Sequence, residues 1–267
     1  MSEYDAEVSN WWKTSIIDMA PGKIEFRGTP IQNLMGEKSF SQMIWYMVIG
    51  GELSKEQAEL FDLAMLMGVD HSPQAPSIAI SRMGITCGIG INNAMASAIN
   101  VLGDNHGGAG EQCAELFYDI QSRIKSGKDL KTAVADGVAD YQEKNGKVIP
   151  GYGHRFHKDS DPRAIRTFEV LPDYVSRGVI SGEFIEIAKE VENYIADKKG
   201  RVIPLNVDGA TSIIFCELGV PAPLSRGFFC LSRSVGILSH AWEQMGQNEK
   251  NKGPMPKKYL PEYEPAE

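Results

Sequence analysis

The sequence predicts an all-α protein. Apolar residues recur at helical spacing over most of the chain. Strand-like alternation is confined to the neighbourhood of "KIEFRG". The periodic segments close on glycine, often after a basic or polar last turn.

The segments follow in order. "SFSQMIWYMVIGG" (39–51) reads as a short helix stopped by Gly50-Gly51. "SKEQAELFDLAMLMG" (54–68) has Ser54 as N-cap, Gln57 at the capping-box position, apolar Leu60, Phe61, Ala64 and Met67, and Gly68 as the stop. "GINNAMASAINVLG" (90–103) is rich in small residues, as a tightly packed helix requires. "GEQCAELFYDIQSRIKSG" (110–127) and "DLKTAVADGVADYQEKNG" (129–146) each end in Gly. The pattern continues in "AIRTFEVLPDYVSRG" (164–178), "GEFIEIAKEVENYIADKKG" (182–200), "VDGATSIIFCELG" (207–219) and "SRGFFCLSRSVGILSHAWEQMG" (225–246). The tail "NEKNKGPMPKKYLPEYEPAE" is Pro-rich and charged, and is expected to lie extended over a surface or a partner subunit.

Composition excludes several function classes. The 267 residues suit one large domain or two small ones, and 42% apolar content supports a sizeable core. A net charge of −8 without a long basic run argues against nucleic acid or an anionic membrane as the main partner. The N-terminus shows no basic segment followed by an apolar one, and "MIWYMVIGG" is about half a membrane span. Cys87, Cys113, Cys216 and Cys230 show no CxxC spacing and are expected to be reduced, buried thiols. These features predict a cytoplasmic protein.

Four of the five histidines sit in or beside Gly/Pro-rich breaks, where a rigid scaffold presents binding and catalytic groups. "GTPIQNLMGEKS" has the wrong spacing for a phosphate loop, and Glu37 interrupts its Gly-Lys. His154 and His157 have an i, i+3 spacing, but no HExxH or paired CxxC accompanies them, and Arg155 and Lys158 would repel a cation. No metal is expected. In "NHGGAGEQ", His106 precedes Gly-Gly at a helix start, so the dipole would favour a neutral imidazole. A capping His in a tight turn reads the same way. Asp208 in "NVDGATS" is either a functional carboxylate or a helix cap.

Taken together, "DHSPQAPS", "NHGGAG", "GYGHRFHKDSDPRA", "NVDG" and "SRSVGILSHAWEQ" resemble, in order and spacing, the citrate synthase superfamily. The resemblance runs from about Trp12 to the tail. The opening "WWKTSI…GKIEFRGTPIQNLMG" is more similar to stand-alone citryl-CoA lyases, relatives of the C-terminal module of ATP citrate lyase. The resemblance implies a large domain of residues 1–107 and 213–267, a small one of 108–212, and an active site in the cleft. It implies a homodimer or higher homo-oligomer acting on an acyl-CoA and a 2-keto acid. No cofactor is required; coenzyme A enters as part of the substrate.

By motif match, Asp208 moves the proton at the α-carbon, His106 donates to the thioester oxygen, and His154 is the acid/base at the substrate hydroxyl. His71, Arg163 and Arg233 would bind substrate, the arginines by bidentate pairing with carboxylates. Lys158, and with it Arg155, would meet the CoA phosphates. One departure stands out. The family's C-terminal Arg-Pro is "KGPMPKK" here, with Gly253 before Pro254, so Lys252 or Lys257 replaces that arginine or the site holds one carboxylate fewer. A lost bidentate contact costs about 2–3 kcal/mol. Three functions follow: cleavage of citryl-CoA or a related acyl-CoA, condensation of acetyl-CoA with a 2-keto acid, or a non-catalytic CoA-binding subunit.

Overall fold

A computed structural model describes residue 8 and residues 10–266, so the first part of the segment read for a leader lies outside the described residues. The chain divides into two compact units, 1–62 and 63–267.

In the first unit, β1 (Ile17–Ala20), β2 (Lys23–Phe26) and β3 (Thr29–Pro30) form an antiparallel sheet in sequence order, with Ile17 opposite Phe26 and Ala20 opposite Lys23. Pro21-Gly22 closes the first hairpin, with Gly22 at φ 77°. The sheet thus contains the strand expected at "KIEFRG", plus β1, of the same four-residue length, and the two-residue β3. α1 (Phe40–Val48) starts at a capping box in which Ser39 Oγ accepts from the Gln42 N–H. At the start of α2 (Lys55–Met67), Ser54 and Gln57 make the reciprocal bonds their spacing predicts, at 3.2 and 3.0 Å. Trp45 and Phe61 pack edge to face, 5.5 Å apart.

The second unit holds α3 (Pro76–Thr86), α4 (Ile91–Ile99), α5 (Ala109–Lys125), α6 (Leu130–Asn145), α7 (Pro162–Ser176), α8 (Glu183–Lys199), α9 (Val207–Glu217) and α10 (Ala222–Gln247). α9 is the centre: Val207 and every residue from 209 to 216 are buried, the Thr211 and Ser212 hydroxyls donating to the Val207 and Asp208 carbonyls. α5, α7, α8 and α10 surround it. A second cluster of Ala75, Ile78, Ala98 and Ile237 fixes α3 and α4 against α10.

Two helices begin where the sequence reads as a break. α3 starts at Pro76 with Ala75 as N-cap and no capping side chain, so a helix hides behind "DHSPQAPS". α7 starts at Pro162, with Asp161 capping the Arg163 N–H at 3.0 Å, so the Asp-Pro-Arg motif is itself a helix N-terminus. The expectation of buried thiols fails at Cys87, which ends α3 at an exposed turn, while Cys113 and Cys216 are buried. The tail has neither helix nor strand among the described residues; within it, the Asn251 and Lys252 N–H groups donate to Thr86. No helix among the described residues is long and apolar enough to cross a membrane.

Candidate active site

Two connections are stitched together at the N-terminus of α9. The Asn206 N–H donates to Gly151 O at 2.9 Å, Gly153 N–H to Pro204 O at 2.8 Å, and Asn206 Nδ2 to Gly153 O at 2.7 Å. Glycine is required on both sides. Gly151 has φ 84°, and a Cβ there would lie 2.5 Å from Cys113 Sγ; a Cβ on Gly209 would lie 2.6 Å from Gly151 O. This stitch sets the Gly-Tyr-Gly-His turn beside Asp208.

Asp208 is not the helix cap. Asn206 caps α9, accepting from the Asp208 and Gly209 N–H groups at 2.8 and 3.3 Å. Among the described residues no donor bonds to the Asp208 carboxylate oxygens. Burial raises its pKa, against the opposing pull of Arg163 and Arg233. An acid held in this way can carry a proton closer to neutrality than an ordinary carboxyl can.

His106 is neutral for a reason the sequence does not show. Its Nε2 accepts the Ser77 N–H at 3.2 Å, with Ser77 Oγ at 3.0 Å. Ser77 lies in the first turn of α3, so the positive end facing this ring belongs to α3, not to the helix that follows His106. Nε2 is the acceptor, so the ring proton sits on Nδ1. Burial, then Arg233, lowers the pKa of His106.

His154 and His71 meet at 2.9 Å through their Nε2 atoms. His154 Nδ1 accepts the Phe156 and His157 N–H groups at 3.0 and 3.1 Å. The neutral His154 proton is therefore on Nε2, pointing at a bare Nε2 of His71. His157, which has no role by motif, thus sets the tautomer through its backbone. Burial is the first cause lowering the pKa of both rings; for His71 the next are Arg163 and Arg233, and for His154 the charge of His71 itself. A His whose folded pKa lies below its unfolded value contributes stability above about pH 6.5, and that contribution is lost as pH falls. The melting temperature should drop on acidification below about pH 6.5, with a shallower slope in His71→Gln, as calorimetry across a pH series can check.

The two arginines differ. Arg163 is clamped by buried Asp161, Nε to Oδ1 at 2.9 Å and Nη2 to Oδ2 at 2.8 Å, leaving Nη1 with no protein partner among the described residues. Arg233 is 4% exposed, donates from Nε to Gly68 O at 2.9 Å and stacks on Phe229 at 4.8 Å. Among the described residues no carboxylate lies within ion-pair distance of it.

His71, His106, His154, Asp208, Arg155 and Arg233 line one cavity of about 380 Å³. Lys158 is exposed and does not line it. Lys147, Lys198 and Lys199 line another cavity, of about 510 Å³, with Tyr152 and Tyr194; Lys198 and Lys199 look like ordinary last-turn lysines in sequence, and Lys147 follows Gly146 past the end of α6. Lys252 is tied to Glu249 at 2.5 Å. His154, His157 and Asp161 bring three possible metal-ligating atoms within 4.8 Å. Both Asp161 oxygens accept from Arg163, and His154 Nδ1 accepts two backbone N–H groups.

This helical scaffold, with its imidazoles and carboxylate on one cleft, matches known proteins. The model of the citrate synthase C-terminal domain matches residues 36–255, and the chain belongs to the citrate synthase family. It is 30% identical over 206 residues to the citrate synthase of Acidithiobacillus ferridurans, a match covering 76% of this chain and 51% of that protein. The chain thus spans about half the length of the curated relatives it matches. The structure of citryl-CoA lyase from Hydrogenobacter thermophilus is similar over 97% of this chain and 96% of its own, with TM-score 0.82 and 29% identity. ATP citrate lyase from Methanothrix soehngenii, in complex with citrate and coenzyme A, shares the fold at TM-score 0.78 and 22% identity, covering all of this chain and 45% of that one.

Proposed function

We propose that the chain is a citryl-CoA lyase-type enzyme, cleaving citryl-CoA to acetyl-CoA and oxaloacetate. The observation that carries this reading is the pairing, on one cavity, of a carboxylate without donors, Asp208, and an imidazole held neutral with its proton on Nδ1, His106. Enol chemistry at a thioester needs those two groups. The fold similarity to a citryl-CoA lyase, over 97% of this chain and 96% of that one, supports the cleavage direction.

In that direction the substrate hydroxyl loses its proton to the His71–His154 pair, whose bare nitrogen is on His71. The carbon–carbon bond breaks, leaving the keto group of oxaloacetate and the enolate of acetyl-CoA. His106 Nδ1–H steadies the enolate oxygen. Asp208, favoured as the acid by its burial, protonates the terminal carbon and is reprotonated from solvent. Citryl-CoA keeps two free carboxylates; the fork of Arg233 lines the cavity, whereas Arg163 does not line it and is held by Asp161. Lys147, Lys198 and Lys199 are suited to phosphates of the CoA nucleotide, more so than Lys158. The exposed stripe Leu231, Val235, Leu238 and Trp242 on α10 suits a second copy of the chain.

The reading is tested by mixing purified protein with citryl-CoA and following oxaloacetate by coupled NADH oxidation. Oxaloacetate release well above buffer is expected. No product, together with thiol release from acetyl-CoA and a 2-keto acid, would instead identify a synthase.

A further inference from the structure

His240 is the one histidine outside a loop. It lies in α10, seven residues past Arg233 and so on the same helix face. Its surroundings fix which ring nitrogen accepts. Arg82 Nη1 lies 3.0 Å from His240 Nδ1, and a guanidinium only donates. His240 Nδ1 is therefore the acceptor, and its proton stands on Nε2. That atom is 3.3 Å from Asp70 Oδ1. The other Asp70 oxygen accepts the Ser72 N–H at 3.1 Å. The carboxylate divides itself between α10 on one side and the turn carrying His71 on the other.

Three further observations tie this chain of bonds to His71. Ser72 has φ 68°, a left-handed conformation that a non-glycine residue holds only when its surroundings impose it. Gly236 allows α10 to come close enough: a Cβ there would lie 2.2 Å from Val69 O and 3.0 Å from Asp70 Oδ1. Arg82 belongs to α3, whose first turn also holds His106 through Ser77, and it is anchored by Glu243 and by Gln247 at 2.8 Å. One helix is thus connected to both imidazole positions.

We propose that Arg82, His240 and Asp70 form a positioning relay that holds the Asp70–Ser72 turn, and through it the His71 ring against His154. None of the three touches the reacting atoms. The activity arm of the test rests on the lyase reading above; the spectroscopic arm does not. His240→Ala removes both bonds. His240→Gln restores them, because an amide accepts at Oε1 and donates at Nε2.

Ring-nitrogen NMR of wild type should show the His240 proton on Nε2, facing Asp70, and the His71 proton on Nδ1. In His240→Ala the His71 and His154 signals should shift, and His71 should lose its fixed tautomer, while His240→Gln keeps the wild-type pattern. Citryl-CoA turnover should fall by about ten- to a hundredfold in His240→Ala, in kcat rather than in KM, and return to near wild type in His240→Gln. Asp70→Asn, which cannot accept at both oxygens, should behave like His240→Ala and stands in for it should that variant not fold. Unchanged His71 signals in the unrescued variants, or equal losses in Ala and Gln, overturn the relay. A wild-type enzyme inert towards citryl-CoA overturns the lyase reading and leaves the NMR outcome to decide the relay.

Discussion

Asp208→Asn should lower citryl-CoA turnover by about 10²–10⁴-fold, the range of a lost acid/base group, with KM little changed. The amide keeps the shape of the side chain, and the start of α9 does not depend on the carboxylate because Asn206 is the cap. The fold should therefore survive. It should in fact become more stable at neutral pH. Burial raises the pKa of Asp208 in the folded chain, so the native state binds the proton more tightly than the unfolded one. Stability is then reduced once pH rises above the folded pKa, where the buried group must ionise. It is regained as pH falls through that pKa towards the ordinary value of 3.8. The melting-temperature advantage of Asp208→Asn should thus be largest near pH 7 and shrink on acidification. Turnover equal to wild type would remove Asp208 from the chemistry. An equal or lower melting temperature at neutral pH would show that its burial carries no cost.

The contrast between Asn206 and Asp208 shows where sequence reading stops. Local signals were legible: the Ser54–Gln57 capping box depends on two residues three positions apart. The order of the His, Gly-Tyr-Gly-His and Asn-Val-Asp motifs led to the correct family. What sequence left open was which atom of each group is used. "NVDG" offers two capping side chains, and only the stitch to Gly153 shows that Asn206 takes the cap and leaves Asp208 free. The tautomer of His106 depends on Ser77, 29 positions away, in a helix whose start carries no capping side chain. Arg82 and His240 are 158 positions apart. Partners that distant leave no periodic trace in either segment. Arg163 and Arg233 likewise look equivalent as cations in matching motifs, yet one is clamped by its own Asp161 and the other has no acid beside it.

That difference makes Arg233 the better test of where the substrate binds. Its guanidinium is buried, and burial pulls its pKa down, with Asp70 and Asp208 acting only at a distance to support the charge. A guanidinium stays protonated under such conditions, so the ligand-free chain carries a buried cation with no anion to neutralise it, which is unfavourable. A carboxylate arriving in the cavity would relieve that cost and receive two parallel N–H bonds. Arg233→Met should therefore have opposite effects on stability and binding. The hydrophobic chain can still lie against Phe229, and the ligand-free protein should melt higher, by about 2–4 °C for each kcal/mol gained. Oxaloacetate affinity should fall by roughly 30- to 150-fold, the equivalent of about 2–3 kcal/mol. Arg233→Lys should recover only part of the binding, since an ammonium lacks the fork. Calorimetric titration with oxaloacetate and a thermal melt of the same samples give both numbers. A lower melting temperature with unchanged binding would mean that Arg233 serves the packing of α10 against Gly68 and that the substrate carboxylates lie elsewhere. A gain in stability coupled to a loss of binding is the outcome expected of a charge left unpaired for the ligand.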